Sequence, residues 1–182
     1  NKLEHIGIKW IKIMLPFFGH EKVSIDSNGR VKLSPRFASD FRGYGSGDGQ
    51  IILFCLPEGG LAVYPEEIFL QMRRAEAHPA ERAAESLLQR RKMRLSGAMT
   101  HPDSISNQGR ITIPHFLREH TGLHPNIQSV MVGVEIGIEI WTLEMWTSEF
   151  GKARNHANEK GELEMASDLY FSKKTNKGDE KL

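Results

Sequence analysis

The sequence has a single cysteine, Cys55, among 182 residues. This excludes a disulfide framework and a zinc site built from paired CxxC motifs, and it is typical of a protein from a reducing compartment. Long apolar runs are also missing, since the most apolar stretch, residues 6–18, contains Lys9 and Lys12. A membrane span needs about 20 apolar residues. We therefore expect no membrane partner and a cytoplasmic location.

Charge of one sign is not in excess either, because 24 Lys and Arg balance 23 Asp and Glu. This excludes a strongly basic nucleic-acid binder of the histone type and an acidic disordered chain. The charge is unevenly spread: residues 1–50 are net positive and residues 101–150 net negative. An anionic partner would therefore be bound by a local patch. Hydrophobic residues make up 39% of the chain, which is enough to form a core.

Sequence motifs of catalysis are absent as well. There is no glycine-rich phosphate loop, no nucleophile elbow and no HExxH motif. We predict no catalytic residues, no enzyme activity and no cofactor. His115, His120 and His124 lie close together, but the sequence HTGLHP breaks the helix between the last two, so we predict no metal site. Cys55 lies in an apolar strand and is expected in the core.

What the chain does contain is an internal repeat. Residues 26–33 read DSNGRVKL, and residues 106–113, 80 positions later, read SNQGRITI. Residues 61–67 (LAVYPEE) resemble residues 138–144 (IEIWTLE) at an offset of 77. The glycine-rich loop at 43–49 can hold the three extra residues of the first copy. Two matches in the same order indicate a duplication.

Each copy has the pattern of strand, tight turn, strand, short helix, strand, glycine turn, strand and helix. Alternating apolar residues predict strands at Lys22–Ile25 and Val31–Leu33, and Ser27-Asn28-Gly29 is a turn signal. The later strands are predicted at Ile51–Leu56, Leu61–Tyr64, Ser129–Val134 and Ile138–Trp141, and the closing helices at Pro65–His78 and Thr142–Asn155.

The predicted organisation is an amino-terminal extension (1–16), a first repeat (17–78), a linking helix (79–95), a second repeat (96–156) and a polar, disordered tail (157–182). Met14 is the expected start of the chain. A four-strand copy buries too little apolar surface to be stable alone. We therefore expect an α+β, mainly β fold in which both repeats share one core, a pseudo-twofold β-barrel with flanking helices.

These motifs resemble the MraZ family, whose members carry two tandem SpoVT-AbrB-type domains. The resemblance covers residues 17–152 and is carried by the two Gly-Arg segments, by Leu117–Gly122 and by Ile138–Trp141. It implies a swapped-hairpin (AbrB-like) β-barrel formed within one chain. Two positions depart from the family pattern: Ser106 replaces an expected aspartate, and Ser34 stands where a proline is expected, with Pro35 one place later.

The resemblance also implies a function. Family members are bacterial transcriptional regulators, mainly repressors of their own division and cell wall gene cluster. They bind repeated G-rich boxes in double-stranded DNA upstream of their own gene and assemble into ring-like homo-oligomers. Association with the nucleoid follows.

The residues offer a chemical route to DNA binding. An arginine held at a tight turn can donate two hydrogen bonds to guanine O6 and N7, so Arg30 and Arg110 are predicted to read base edges. Asp26 is predicted to orient Arg30. Asn28 and Gln108 are predicted to contact bases or phosphates, and Lys22 and Lys32 to contact phosphates.

Three alternatives stay open. One is an AbrB-type antitoxin-like module whose tail binds a toxin. Another is a small barrel that does not bind DNA and acts as an interaction scaffold or as a metal-dependent hydrolase. In that case Arg30 and Arg110 would be dispensable and the histidines would matter. The third is structural: the Gly-Arg residues only brace hairpin turns. The basic run Arg90–Arg94 is interpreted as a solvated helix end, with phosphate contact as its alternative.

Overall fold

A computed structural model describes residues 16–43, 49–74 and 86–160, with no side-chain description for 157–160. The predictions for the segment up to residue 15, including the start at Met14, and for residues 161–182 lie outside the described residues. The described chain falls into two compact units, residues 1–143 and 144–182.

The described residues form eight strands and five helices. The strands are β1 His20–Val23, β2 Arg30–Lys32, β3 Gln50–Cys55, β4 Leu61–Pro65, β5 Thr100–Ser104, β6 Arg110–Thr112, β7 Ser129–Gly133 and β8 Ile138–Thr142. The helices are α1 Pro35–Gly43, α2 Glu66–Arg74, α3 Leu87–Ala98, α4 His115–Thr121 and α5 Leu143–Lys160.

The strands form a six-stranded antiparallel sheet in the order β1-β7-β8-β4-β3-β5 and a separate two-stranded ribbon of β2 and β6. The first strand of each half of the chain pairs with the other half: β1 with β7 and β5 with β3. If β1 and β5, β3 and β7, and β4 and β8 exchange places, the same order results when it is counted from the opposite edge. The sheet is thus pseudo-twofold symmetric. The fold is α+β, as predicted, and its strands pair antiparallel. The strands of the described residues do not close into the expected barrel.

The order of elements predicted for each copy is found in both halves, with strand ends shifted by one or two residues. The strand β5 had no explicit prediction, because Pro102 interrupts its pattern; it lies at the edge of the sheet, where proline is tolerated. The linking helix was predicted at 79–95, whereas α3 spans Leu87–Ala98 and residues 79–85 lie outside the described residues. Ser86 caps α3, its hydroxyl accepting a hydrogen bond from Gln89 N–H at 3.2 Å.

Ser34, which stands where a proline was expected after β2, immediately precedes α1 and caps it. Its hydroxyl accepts a hydrogen bond from the Phe37 N–H at 3.4 Å, and Pro35 occupies the first helical position, where its fixed φ suits a helix start. In the second half Pro114 itself is the cap residue of α4, with no side-chain hydrogen bond. The two halves thus begin their short helix with different chemistry.

One apolar core is shared by both halves of the first unit. It combines residues such as Val31, Leu53 and Val63 with Ile111 and Ile138, all at most 1% exposed. Cys55 is buried in the same cluster, which confirms the core placement predicted for it. The sharing of one core agrees with the expectation that a single copy would bury too little surface.

The segment before β1 is fixed by contacts with both halves. Phe17 is fully buried, with its ring 4.7 Å from that of Phe41. Its N–H donates to Asp40 Oδ2 at 3.1 Å, and its carbonyl accepts from Glu135 N–H at 3.2 Å. A Cβ on Gly133 would overlap the Phe17 carbonyl, so this close approach requires glycine.

The second unit is described by helix α5. It runs to Lys160, past the predicted end at Asn155 and into the first residues of the predicted tail. The rings of Trp146 and Phe150 contact each other along it in a tilted arrangement, with centroids 5.7 Å apart. Across the described ranges, no helix combines the length and apolarity needed to cross a membrane.

Candidate nucleic-acid interface

The ribbon of β2 and β6 brings the two predicted arginines onto one face. Arg30 lies opposite Thr112 and Lys32 lies opposite Arg110. Partners directly opposite in an antiparallel pair share a face, and the central residues Val31 and Ile111 point to the core, at 1% and 0% exposure. Arg30, Lys32, Arg110 and Thr112 therefore form the outer face of the ribbon.

The first turn holds its arginine with one carboxylate. Asp26 Oδ1 accepts hydrogen bonds from the N–H groups of Asn28 and Arg30, each at 2.9 Å. Asp26 Oδ2 lies 3.2 Å from Arg30 Nε. Because the Nε–H is not aligned for a hydrogen bond, the contact is an ion pair without a hydrogen bond. Both side chains stay accessible, at 39% exposure for Arg30 and 44% for Asp26.

The hydrogen bonds and positive charges around Asp26 lower the pKa of its carboxyl group. The hydrogen bond from the Arg30 backbone is the largest cause lowering the pKa of Asp26, partly opposed by desolvation. The Asn28 N–H and the charges of Arg30 and Arg110 lower it further. Asp26 is thus an anion at neutral pH, and the positive field of Arg110 reaches it across the ribbon.

The second turn has the same backbone and a weaker brace. Gly29 and Gly109 both have positive φ, 76° and 70°, which glycine adopts without strain. Ser106, in the place of Asp26, accepts one hydrogen bond through Oγ, from Arg110 N–H at 3.0 Å. Within the described residues no ion-pair partner is found for the Arg110 guanidinium.

The two turns also bond to each other's strands. Leu33 N–H donates to Gly109 O, and Ile113 N–H donates to Gly29 O, each at 2.8 Å. These two bonds extend the ribbon at both ends beyond its three paired residues. The turns are consequently fixed relative to each other, and the spacing of their arginines is set by the backbone.

Sequence reasoning missed Arg118, which lies on α4 in the second half and contacts the first turn. Its Nε donates to Ile113 O at 3.0 Å. A Cβ built on Gly29 would lie 2.8 Å from Arg118 Nε, so the guanidinium packs against the bare face of this glycine. The position 80 residues earlier is Ala38, so the repeat itself gave no signal for this residue.

The two predicted phosphate-contacting lysines line one cleft. Lys22 and Lys32 are exposed, and both border a cleft of about 320 Å³ together with Glu21 and Ser34. Asn28 and Gln108 are exposed at the tips of their turns. The structure therefore places all seven predicted side chains at or beside the ribbon.

The histidines are not gathered into a metal site. In the parts of the chain that the structure describes, no group of three or more His, Cys, Asp or Glu side chains could hold an ion. His115 instead lies 3.6 Å from Glu119 on the same helix, and the His101 ring contacts Phe116 edge-on.

Fold and site together define a tandem α+β protein in which two exchanged halves present a pair of Gly-Arg turns on a cationic ribbon. A family model described as "MraZ protein, putative antitoxin-like" matches residues 98–166. Proteins named "Transcriptional regulator MraZ" match most of the chain. The relative from Heliobacterium modesticaldum is 30% identical over 154 residues, which cover 84% of this chain and 99% of the relative.

Two further relatives carry the same name. The protein of Desulforamulus reducens is 33% identical over 71% of this chain and 84% of its own length. That of Lachnoclostridium phytofermentans is 32% identical over 72% and 85%. At this identity over nearly the whole length of its relatives, the chain belongs to the MraZ family, which confirms the resemblance carried by the Gly-Arg repeat.

Proposed function

We propose that this chain is a transcriptional regulator that binds double-stranded DNA with the outer face of the ribbon. The observation that carries the proposal is the register of β2 and β6, which sets Arg30, Arg110 and Lys32 side by side on one exposed face. The names of its relatives support the regulatory role.

The major groove is the part of the duplex that this face suits. It admits a two-stranded β-ribbon, and an arginine there can donate to guanine O6 and N7. Fixed turns set the positions from which the two arginines project, while Lys22 and Lys32 in their shared cleft are suited to phosphate contacts. Asn28 and Gln108, at the turn tips, can contact bases or phosphates.

The finer proposals follow from the family. We infer repression of the chain's own division and cell wall gene cluster through repeated G-rich boxes, with the protein at the nucleoid. We also infer that the strand exchange seen in β1 and β5 corresponds to the swapped-hairpin arrangement of the family. One chain offers a small interface, so a ring-like homo-oligomer on repeated boxes would raise affinity through effective concentration.

A gel-shift assay on DNA from upstream of the protein's own gene tests the proposal. Arg30→Ala and Arg110→Ala should each fold and bind at least several-fold more weakly. Arg74→Ala is the matched control, since this exposed arginine ends α2, a helix that packs on β3 and β4. Wild-type affinity in both ribbon variants would refute DNA binding by this face.

The oligomer has its own test. Size-exclusion chromatography with light scattering should show multimers at the concentrations used for the gel shift. Affinity for DNA with several boxes should exceed that for one box by more than the number of boxes. A strict monomer would remove the avidity part of the proposal and leave the ribbon contacts untouched.

The antitoxin-like alternative stays in view because the matching family model carries that word in its description. It would require a toxin partner bound by residues 157–182, most of which lie outside the described residues. Deleting residues 161–182 distinguishes the two: a DNA-binding regulator keeps its ribbon contacts, whereas an antitoxin-like module loses its partner.

A further inference from the structure

The two turns occupy equivalent places in the repeat but have different surroundings. Four pairs of positions related by the 80-residue offset differ in chemistry: Lys22 and Pro102, Asp26 and Ser106, Lys32 and Thr112, and Ala38 and Arg118. Each pair lies at or beside the ribbon. These four differences give the two turns different surroundings on the face where DNA is proposed to bind.

The arginine of the first turn is held in place before any ligand arrives. Asp26 contacts the Arg30 backbone N–H at 2.9 Å and the side-chain Nε at 3.2 Å. The Ser106 side chain accepts from the backbone N–H of Arg110 at 3.0 Å and makes no ion pair with its guanidinium. A side chain that is already ordered loses less freedom when it binds. Arg30 is thus the better prepared of the two for a geometrically demanding bidentate contact.

The first turn also has a support that the second lacks. The Arg118 guanidinium packs against Gly29 and donates to the carbonyl of Ile113. The N–H of the same Ile113 donates to Gly29 O. Below the second turn, the nearest atom to a Cβ on Gly109 is Ala38 Cβ, at 3.9 Å. The backbone that carries Arg30 is therefore clamped by a helix of the other half.

The arginine of the second turn has a different neighbour. Arg110 is paired directly with Lys32 across the ribbon, and like charges directly opposite each other repel. An anion between them would relieve that repulsion, whereas a neutral base edge would not. Arg30 faces Thr112, so its partner adds no second charge. The Arg110–Lys32 pair is thus suited to a phosphate.

We propose that the two turns do different work on DNA. Arg30, held by Asp26 and Arg118, reads a guanine edge and determines sequence preference. Arg110 binds backbone phosphate together with Lys32 and adds affinity for any sequence. This inference rests on the proposed function and refines it, with Arg118 as a positioning residue that acts through Gly29.

Selection from a library of random DNA duplexes, followed by binding titrations over a range of salt concentrations, tests the division. Arg30→Ala should lower the preference for guanine at one position at least about fivefold. Arg110→Ala should weaken binding to every duplex by a similar factor and reduce the salt slope by about 1, leaving the preference intact.

Reciprocal substitutions provide the matched control. Asp26→Ser gives the first turn the brace of the second, keeping an oxygen for the Arg30 N–H. It should lower guanine preference several-fold while affinity for unrelated duplexes stays equal or rises, because an anion has been removed. Ser106→Asp should do the opposite: weaker non-specific binding and a sharper preference at a second position. A fold defect would lower both quantities together.

Arg118→Ala should reduce guanine preference several-fold without the loss of salt slope expected for a phosphate contact, and circular dichroism should confirm that it folds. Equal loss of guanine preference in the Arg30 and Arg110 variants would overturn the division while leaving DNA binding by the ribbon in place. An unchanged preference in Asp26→Ser or in Arg118→Ala would also overturn it. Wild-type binding by both arginine variants would instead refute the proposed function itself.

Discussion

Substituting alanine at the two turn glycines isolates the clamp on the first turn, because the residues share a conformation and differ in their neighbours. Gly29 and Gly109 have φ of 76° and 70°, so each alanine would cost about 1–2 kcal/mol for the left-handed backbone. At Gly109 the added methyl meets nothing closer than 3.9 Å. Gly109→Ala should therefore cost only the backbone term.

At Gly29 the methyl would lie 2.8 Å from Arg118 Nε and 2.9 Å from Ile113 O. The guanidinium must move, and its hydrogen bond to the Ile113 carbonyl is lost, which adds about 0.5–1.5 kcal/mol. Together with the backbone term, the expected fall in the free energy of unfolding is about 1.5–3.5 kcal/mol. The excess over Gly109→Ala therefore combines displacement of Arg118 with the close contact to the Ile113 carbonyl.

Urea denaturation followed by far-UV circular dichroism gives both free energies, and thermal unfolding should show a shift of about 2–4 °C per kcal/mol for a chain of this size. Gly29→Ala should cost less in an Arg118→Ala background than in the wild type, because the guanidinium no longer clashes and its hydrogen bond is already absent, whereas the contact with the Ile113 carbonyl at 2.9 Å remains. Equal losses in the two single variants would refute the packing of Arg118 against the first turn.

The remaining predictions concern other parts of the described chain. Gly133→Ala should lower the free energy of unfolding by about 2 kcal/mol or more through overlap with the Phe17 carbonyl. Gly97→Ala, in α3 with open space around it, should raise the free energy of unfolding by up to about 1 kcal/mol. Chemical denaturation of both variants measures these changes. Burial raises the pKa of the Cys55 thiol to about 11, so Ellman's reagent should react slowly with the folded protein and fully in denaturant, and rapid labelling of the native state would contradict the burial. The pKa of Asp26 is lowered from its usual value of 3.8, so its carboxylate stabilises the fold above that pH, and the stabilisation is lost as pH falls through the pKa of the folded state. The difference in unfolding free energy between wild type and Asp26→Asn should therefore be present at neutral pH and vanish in acid. A difference that persists in acid would argue against the ion pair.

Local features were within reach of the sequence. Alternating apolar residues identified the strands to within one or two residues, and Asn28-Gly29 marked the first turn. The prediction for β5 was incomplete because Pro102 weakens the strand pattern, and an edge position explains why proline is tolerated there. Of the linking helix predicted at 79–95, residues 79–85 lie outside the described residues, and Ser86 caps the described helix α3.

By itself the sequence determined which residues face the core and where the chain turns, because strand periodicity and the positive φ of glycine are local properties. It also determined that there are two Gly-Arg turns, through the repeat. The tertiary structure alone decided the partner of each strand: β1 pairs with β7 and β2 with β6. Alternation specifies a face and not a partner, since any strand of the same length offers the same backbone hydrogen bonds. The placement of Lys32 opposite Arg110, and of Arg118 below Gly29, follows from that choice of partners.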